Sequence, residues 1–190
     1  MELDRFLPTY HFNEVHSIEV QSPASDIFRA IKEMTPSELS PVFRLLFQIR
    51  ALPARLAGKS GQGFGFVPSK PLLGQLEGNF IFLANVPDRE IVFGMIGQPW
   101  KLTGEQAVRL TEPQEFLQFE RPDYAKVAAN FCISEGSRDG RFKVSTESRI
   151  YVADPASRKK FARYWFIIYL GSSYIRTLML QAIKRRVEQR

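Results

Sequence analysis

The run Asp154-Pro155-Ala156-Ser157-Arg158-Lys159-Lys160-Phe161, continued as ARYWFIIYLGSSYIRTLMLQAIKRRVEQR to Arg190, decides how the whole chain is read. Asp154 and Pro155 open a helix. A carboxylate accepts from the free N–H groups of a first turn, and Pro at the first helical position forfeits no hydrogen bond. Phe161, Trp165, Ile168, Ser172, Ile175, Met179 and Ile183 then recur at three- and four-residue steps and share one face. So long an apolar face needs a broad partner, and the segments upstream alternate as strands do. The expectation is an α+β fold in which a curved antiparallel sheet wraps this helix, with room for a cavity between them.

Working outward, residues 123–135 and 141–153 read as two long strands joined by a Gly/Ser/Asp turn at 136–140. In the second, Phe142, Val144, Thr146, Ser148, Ile150 and Val152 share a face, while Lys143, Glu147 and Arg149 read as its outward side. Residues 78–86 and 90–97 form a hairpin about Pro87-Asp88, a pair suited to the centre of a type I turn. Ile91 to Ile96 is apolar on both parities and predicts a strand covered on both faces. A further strand is expected over 101–110. Thr111 is then expected to cap a short helix over 112–119 that puts Phe116 and Phe119 on one side.

Near the start, Tyr10, Phe12, Glu14, His16, Ile18 and Val20 fall on one side of a strand over 10–21. Ser22-Pro23 begins a helix whose apolar face is Ile27, Ala30, Ile31 and Met34. Thr35-Pro36-Ser37-Glu38 matches a capping box. Ser40-Pro41 starts a second helix carrying Val42, Phe43, Leu46, Phe47 and Ile49, which Pro53 limits. Residues 58–71 are a flexible glycine-rich connector within a single 1–190 domain. Gly58-Lys59-Ser60 ends like a phosphate loop, but Pro53 stands where the first glycine is required, so that reading fails.

The 190 residues suffice to bury roughly 70% of the unfolded surface without metal or disulfide. Sixteen phenylalanines supply large apolar surfaces suited to filling a core or lining a pocket. The lone Cys132 excludes an internal disulfide, and a reduced, buried thiol points to the cytoplasm. Residues 1–10 have no signal-peptide pattern, and Tyr164–Leu170, the longest apolar run, is too short to span a bilayer. The net charge of +6 gathers in the terminal helix, at Arg158, Lys159, Lys160, Arg163, Arg176, Lys184, Arg185, Arg186 and Arg190. Nucleic acid and an anionic membrane are the sharp readings of this cluster, and a solvated face that also offsets the helix C-terminus is expected in preference to both.

Four segments together resemble the START-like helix-grip superfamily, also called SRPBCC, over essentially the whole chain. They are Ser22-Pro23-Ala24-Ser25-Asp26-Ile27-Phe28, Gly94-Met95-Ile96-Gly97-Gln98-Pro99-Trp100, Tyr124-Ala125-Lys126-Val127-Ala128-Ala129-Asn130-Phe131, and Ser145-Thr146-Glu147-Ser148-Arg149 leading into Asp154-Pro155. The members most like it are small bacterial proteins. The resemblance implies an antiparallel sheet around the C-terminal helix and an apolar cavity for lipids, polyketides or other hydrophobic small molecules. Some relatives are cyclases or hydrolases and many only carry or sense a ligand, a choice the fold does not make. The expected cavity lining is His16, Trp100, Phe131, Thr146, Ser148, Trp165, Ile168 and Ser172.

Catalysis finds little footing in the residues. The only histidines, His11 and His16, fall on opposite faces of one strand, and one Cys with two such histidines has no zinc-ligand spacing. No catalytic residue, metal or cofactor is assigned. Glu14 and Glu147 as an acid–base pair is weaker than Glu147 as a surface cross-strand partner for Lys or Arg. Thr146, Ser148 and Ser172 interrupt apolar faces. Buried hydroxyls cost about 1–3 kcal/mol unless bonded, so they either serve a pocket or bond the local backbone. The expected function is therefore binding of a small hydrophobic ligand. The alternatives are a cyclase- or dehydratase-type enzyme in the same cavity and an interaction module docking through the basic helix. Phe166, Leu170 and Tyr174 form a second apolar stripe, which asks for cover by the second helix or by a twofold partner.

Overall fold

The alternation at residues 10–21 becomes strand β1, Phe12–Val20, in the computed structural model, which describes residues 1–39, 67–76, 80–101 and 107–189. The remaining strands are β2 (Ile81–Val86), β3 (Glu90–Gly97), β4 (Ala107–Val108), β5 (Ala125–Glu135) and β6 (Phe142–Val152). They form a six-stranded antiparallel sheet in the order β1-β6-β5-β3-β2, with β4 also on β3. Among the described residues the α-helices are α1 (Glu2–Phe6), α2 (Ala24–Glu33), α3 (Pro113–Gln118) and α4 (Pro155–Glu188). The expected second helix after Ser40, most of the glycine-rich connector and the first half of the strand expected over 101–110 lie outside the described residues.

Helix α4 starts as its sequence requires, with the Asp154 carboxylate accepting from the Ser157 N–H at 2.7 Å. It crosses the sheet on the face presented by the even positions of β1 and β6. In register these are Phe12 opposite Ile150, Glu14 opposite Ser148, His16 opposite Thr146 and Ile18 opposite Val144. Two apolar clusters hold it there. Around the first half of α4, Phe161 packs with Ile150, Val152, Phe12, Trp100 and Trp165. Under its second half, Leu178, Leu180 and Ile183 pack with Ile27 and Ile31 of α2, with Met34 just after it, and with Phe131 and Val144. Each such large side chain contributes about 1.5–3 kcal/mol when fully buried.

The opposite face of the sheet was read as outward, and the structure corrects this. Helix α1 packs there through Leu3 and Phe6, and α3 through Phe116. Glu147 and Arg149 are therefore buried and not at the surface. Arg149 Nε donates to Glu147 at 2.7 Å and its Nη1 donates to Asp4 at 2.8 Å. Glu90 accepts from the Glu2 N–H at 2.7 Å and from Asn130 Nδ2 at 2.7 Å. This network satisfies the free N–H groups at the start of a five-residue helix too short to stand alone. The Met1 ammonium and then Arg149 hold the Asp4 carboxyl below its usual range.

Covered by clusters on both sides, β3 is buried at nearly every position, as its two-parity apolar pattern predicts. Gly94 is needed because a Cβ there would meet Leu83 Cδ1 at 2.7 Å and Phe116 Cε2 at 2.9 Å. The β2–β3 turn is not the expected type I. The Arg89 N–H closes onto the Val86 carbonyl at 3.2 Å, and Asp88, second of the central pair, has φ 59°. A type I turn needs negative φ there, and a short Asp side chain is one of the few that tolerates the left-handed region. The cap of α3 also shifts by one residue, to Glu112, because Glu115 folds back to accept from the Thr111 N–H at 2.6 Å.

Candidate functional site

Between the two clusters beneath α4 lies a patch of the interface that is not apolar. Glu14 of β1, its side chain 1% exposed, points at the helix. The Ser172 hydroxyl donates to its Oε2 at 3.0 Å, and His16 Nε2 lies 2.9 Å from its Oε1. Arg176, one helical turn beyond Ser172, reaches down beside them. Its Nη1 donates to Thr146 Oγ1 at 2.7 Å and its Nη2 to Ser148 Oγ. Its Nε is buried with no hydrogen-bond partner among the described residues, 3.7 Å from Glu14 Oε2. That distance is an ion pair and not a hydrogen bond. Burial pulls the guanidinium below its ordinary pKa, and Glu14 opposes this.

Strand pairing makes this convergence unavoidable. The β1–β6 register sets Glu14 beside Ser148 and His16 beside Thr146, and β5 adds Ala129 beside Ser148 and Phe131 beside Thr146. Above them, Ser172, Ser173 and Arg176 lie within one turn of α4. Each hydroxyl that accepts from Arg176 keeps its own O–H proton for donation. The patch therefore offers a desolvated cation, a carboxylate and directed hydroxyls in a low-dielectric interface, where such groups act strongly.

The geometry also says what these groups do not form. A hydrolytic triad puts the nucleophile on one imidazole nitrogen and the orienting carboxylate on the other. Here Glu14 at 2.9 Å and Ser173 Oγ at 3.2 Å both address His16 Nε2. One nitrogen cannot donate to the acid and take the hydroxyl proton together. Glu14 and Glu147, weighed from sequence as a pair, point to opposite faces of the sheet, since Glu147 Oε1 bonds Asn13 at 2.6 Å on the α1 side. Among the described residues no group of three or more His, Cys, Asp or Glu side chains is placed to hold a metal.

Of the eight residues expected to line a cavity, His16, Thr146, Ser148 and Ser172 come together at the patch. Trp100 and Trp165 share the first-half cluster, each within about 6 Å of the Phe161 ring by centroid, at 6.0 and 5.9 Å. Phe131 belongs to the second-half cluster and Ile168 is half-buried on α4. Sequence reasoning missed Arg176 by placing it with the solvated basic residues. Its position four residues after Ser172 and seven before Ile183 sets it on the inward stripe, and that was the available signal. The basic end of α4 is likewise engaged, with Lys184 donating to the Glu19 carbonyl at 2.9 Å and Arg186 to Glu33 and Glu38 at 2.8 Å each. A separate open cleft of about 270 Å³ lies below α2, lined by Lys32, Leu73, Phe82, Asn85 and Ile91 among others, and by none of the eight.

Fold and patch together define an α+β protein whose sheet carries a long C-terminal helix over a buried polar cluster. No family model matches the chain, and no curated protein matches it. Among solved structures it is similar to the protein XoxI from Bacillus cereus, with 14% identity, a TM-score of 0.35, and coverage of 93% of this chain and 96% of that one. An uncharacterised protein from Bacillus thuringiensis gives 13% identity and a TM-score of 0.34 over 92% and 97%. The di-domain ARO/CYC BexL from the BE-7585A biosynthetic pathway gives 13% identity and 0.33, with 94% of this chain matching 47% of that one. Likeness this loose leaves function to be argued from the chain's own residues.

Proposed function

We propose that the protein belongs to the helix-grip type and binds a small, mostly hydrophobic ligand that ends in an oxygen-bearing polar group. The polar end sits at Arg176, Thr146, Ser148 and Ser172, and the apolar body lies toward Trp165 and Phe161. The observation that carries this is Arg176. A guanidinium in the sheet–helix interface costs several kcal/mol to desolvate, and its only ion pair, with Glu14 at 3.7 Å, leaves Nε without a hydrogen-bond partner among the described residues. A ligand carboxylate or carbonyl matches both the charge and the donors. The same donors suit polarisation of a carbonyl, which is the cyclase- or dehydratase-type alternative. The engagement of His16 Nε2 by Glu14 supports binding over turnover.

Trp100 and Trp165 are the only two tryptophans and both lie in the adjoining cluster, so intrinsic fluorescence reports on the site. Dodecanoate below its micellar range is expected to shift the emission of the wild type and to bind at least tenfold more tightly than dodecanol. Arg176→Met and Ser148→Ala are expected to remove that preference. Equal affinity for acid and alcohol in the wild type, or no binding of either, overturns the proposal.

A further inference from the structure

The outward face of α4 is the one large apolar surface that the described fold leaves uncovered. Phe166 is 85% exposed, Ile167 and Leu170 are each 78% exposed, and Tyr174 follows at 44%. Lys159, Lys160 and Arg163 lie on the same face at three- and four-residue steps and are exposed as well. The face is thus an apolar band preceded by a basic turn. From Pro155 to Val187 the helix contains no Asp or Glu at all.

That charge pattern selects the occupant. A second copy of the chain would bring its own uncompensated cations against these, and the only acid on the helix, Glu188 at its far end, is paired with Lys184. An anionic lipid surface supplies the opposite charge for Lys159, Lys160 and Arg163 and an acyl boundary for Phe166, Ile167 and Leu170. We infer that α4 docks the protein flat on an anionic membrane surface through Lys159, Lys160, Arg163, Phe166, Ile167 and Leu170. By length and composition alone α4 also passes as a membrane span. It does not act as one here, because its other face is held to the sheet by Phe161, Ile183 and the bonds from Arg176 to Thr146 and Ser148. The docking is independent of the ligand reading, since the residues it uses face away from the polar patch.

The test is flotation of the full chain with vesicles of phosphatidylcholine alone and of phosphatidylcholine mixed with phosphatidylglycerol, at low and high salt. The wild type is expected to float with the mixed vesicles at low salt only. Lys159→Gln/Lys160→Gln/Arg163→Gln is expected to partition about a hundredfold less, from the usual contribution of a basic residue near an anionic surface. Phe166→Ser/Leu170→Ser is expected to lose at least tenfold. All these side chains are exposed, so circular dichroism and thermal midpoints should match the wild type. Absence of flotation at low salt overturns the inference, as does flotation that neither variant weakens. So does a dimer seen by light scattering that Phe166→Ser/Leu170→Ser dissolves while mixed vesicles bind nothing.

Discussion

Replacing Arg176 by Met keeps most of the side chain's volume and removes its charge. Glu14, 1% exposed and 3.7 Å from the guanidinium, is then a buried carboxylate without its cation. Removing one partner of a buried pair costs about 3–5 kcal/mol. Ser172 and His16 still bond both carboxylate oxygens, which places the expected loss near the lower end, about 3 kcal/mol. For a chain of this size that lowers the melting midpoint by roughly 6–12 °C. Removing the second charge as well, with Glu14→Leu, should return stability to within about 1 kcal/mol of the wild type, because neither ion is left stranded. The cycle of wild type, two single variants and double variant is read by urea unfolding at neutral pH, with tryptophan emission and far-ultraviolet dichroism as separate probes. A single-variant loss below about 0.5 kcal/mol, or a double-variant loss equal to the sum of the singles, would refute the claim that these two charges depend on each other.

Gly94→Ala should destabilise by about 1–3 kcal/mol, measured as a urea midpoint, because its Cβ must displace Leu83 and Phe116. Glu90→Ala strips acceptors from the Glu2 and Leu3 N–H groups and from Asn130, and should cost about 2–3 kcal/mol. Amide exchange in residues 2–7 should quicken more than exchange in β6, and uniform quickening would contradict the idea that α1 is released. Burial, and then Arg158, holds the His11 imidazole below its ordinary value of 6.5. Its ring Nδ1 accepts from the Val152 N–H, which needs the neutral form. The unfolded chain therefore takes up the proton first, so this contribution is full above pH 6.5 and is lost as pH falls toward the folded value. His11→Gln should flatten the change in unfolding free energy between about pH 7.5 and about pH 5, and an unchanged slope would count against it.

Much of the architecture was legible because it rests on periodicity. The stripe from Phe161 to Ile183, the two-parity run of β3 and the alternation in β1 and β6 each report a burial pattern that pairing and packing then enforce. Helix α1 was not legible, since a five-residue helix has too few positions to show a period, and what fixes it is Glu90, remote in sequence. That omission turned the Glu147 side of the sheet into an apparent surface. At the candidate site the hydroxyls stood out because they broke apolar faces, whereas Arg176 was obscured by its charge. Reading a basic residue as solvated by type overrode its position on the inward stripe. The correct sign was the step of four from Ser172. The turn at Asp88 depended on a backbone angle that a Pro-Asp pair leaves open between two turn types.

The contact between Glu14 and Ser172 joins positions 158 apart in the chain, and the sheet order sets β1 against β6, the first of the described strands against the last. Closure of this fold therefore waits until α4 has been made. Until β6 has left the ribosome β1 lacks the edge it pairs with, and until α4 follows Glu14 and His16 stay hydrated. High sequence separation of this kind slows folding and lengthens the time for which an unpaired strand edge is open to other chains. A chain stopped before Asp154 would keep a sheet face bearing Ile18, Val144 and Ile150 with nothing to cover it. Such a product is expected to be cleared or to aggregate, even though each of its strands would be intact.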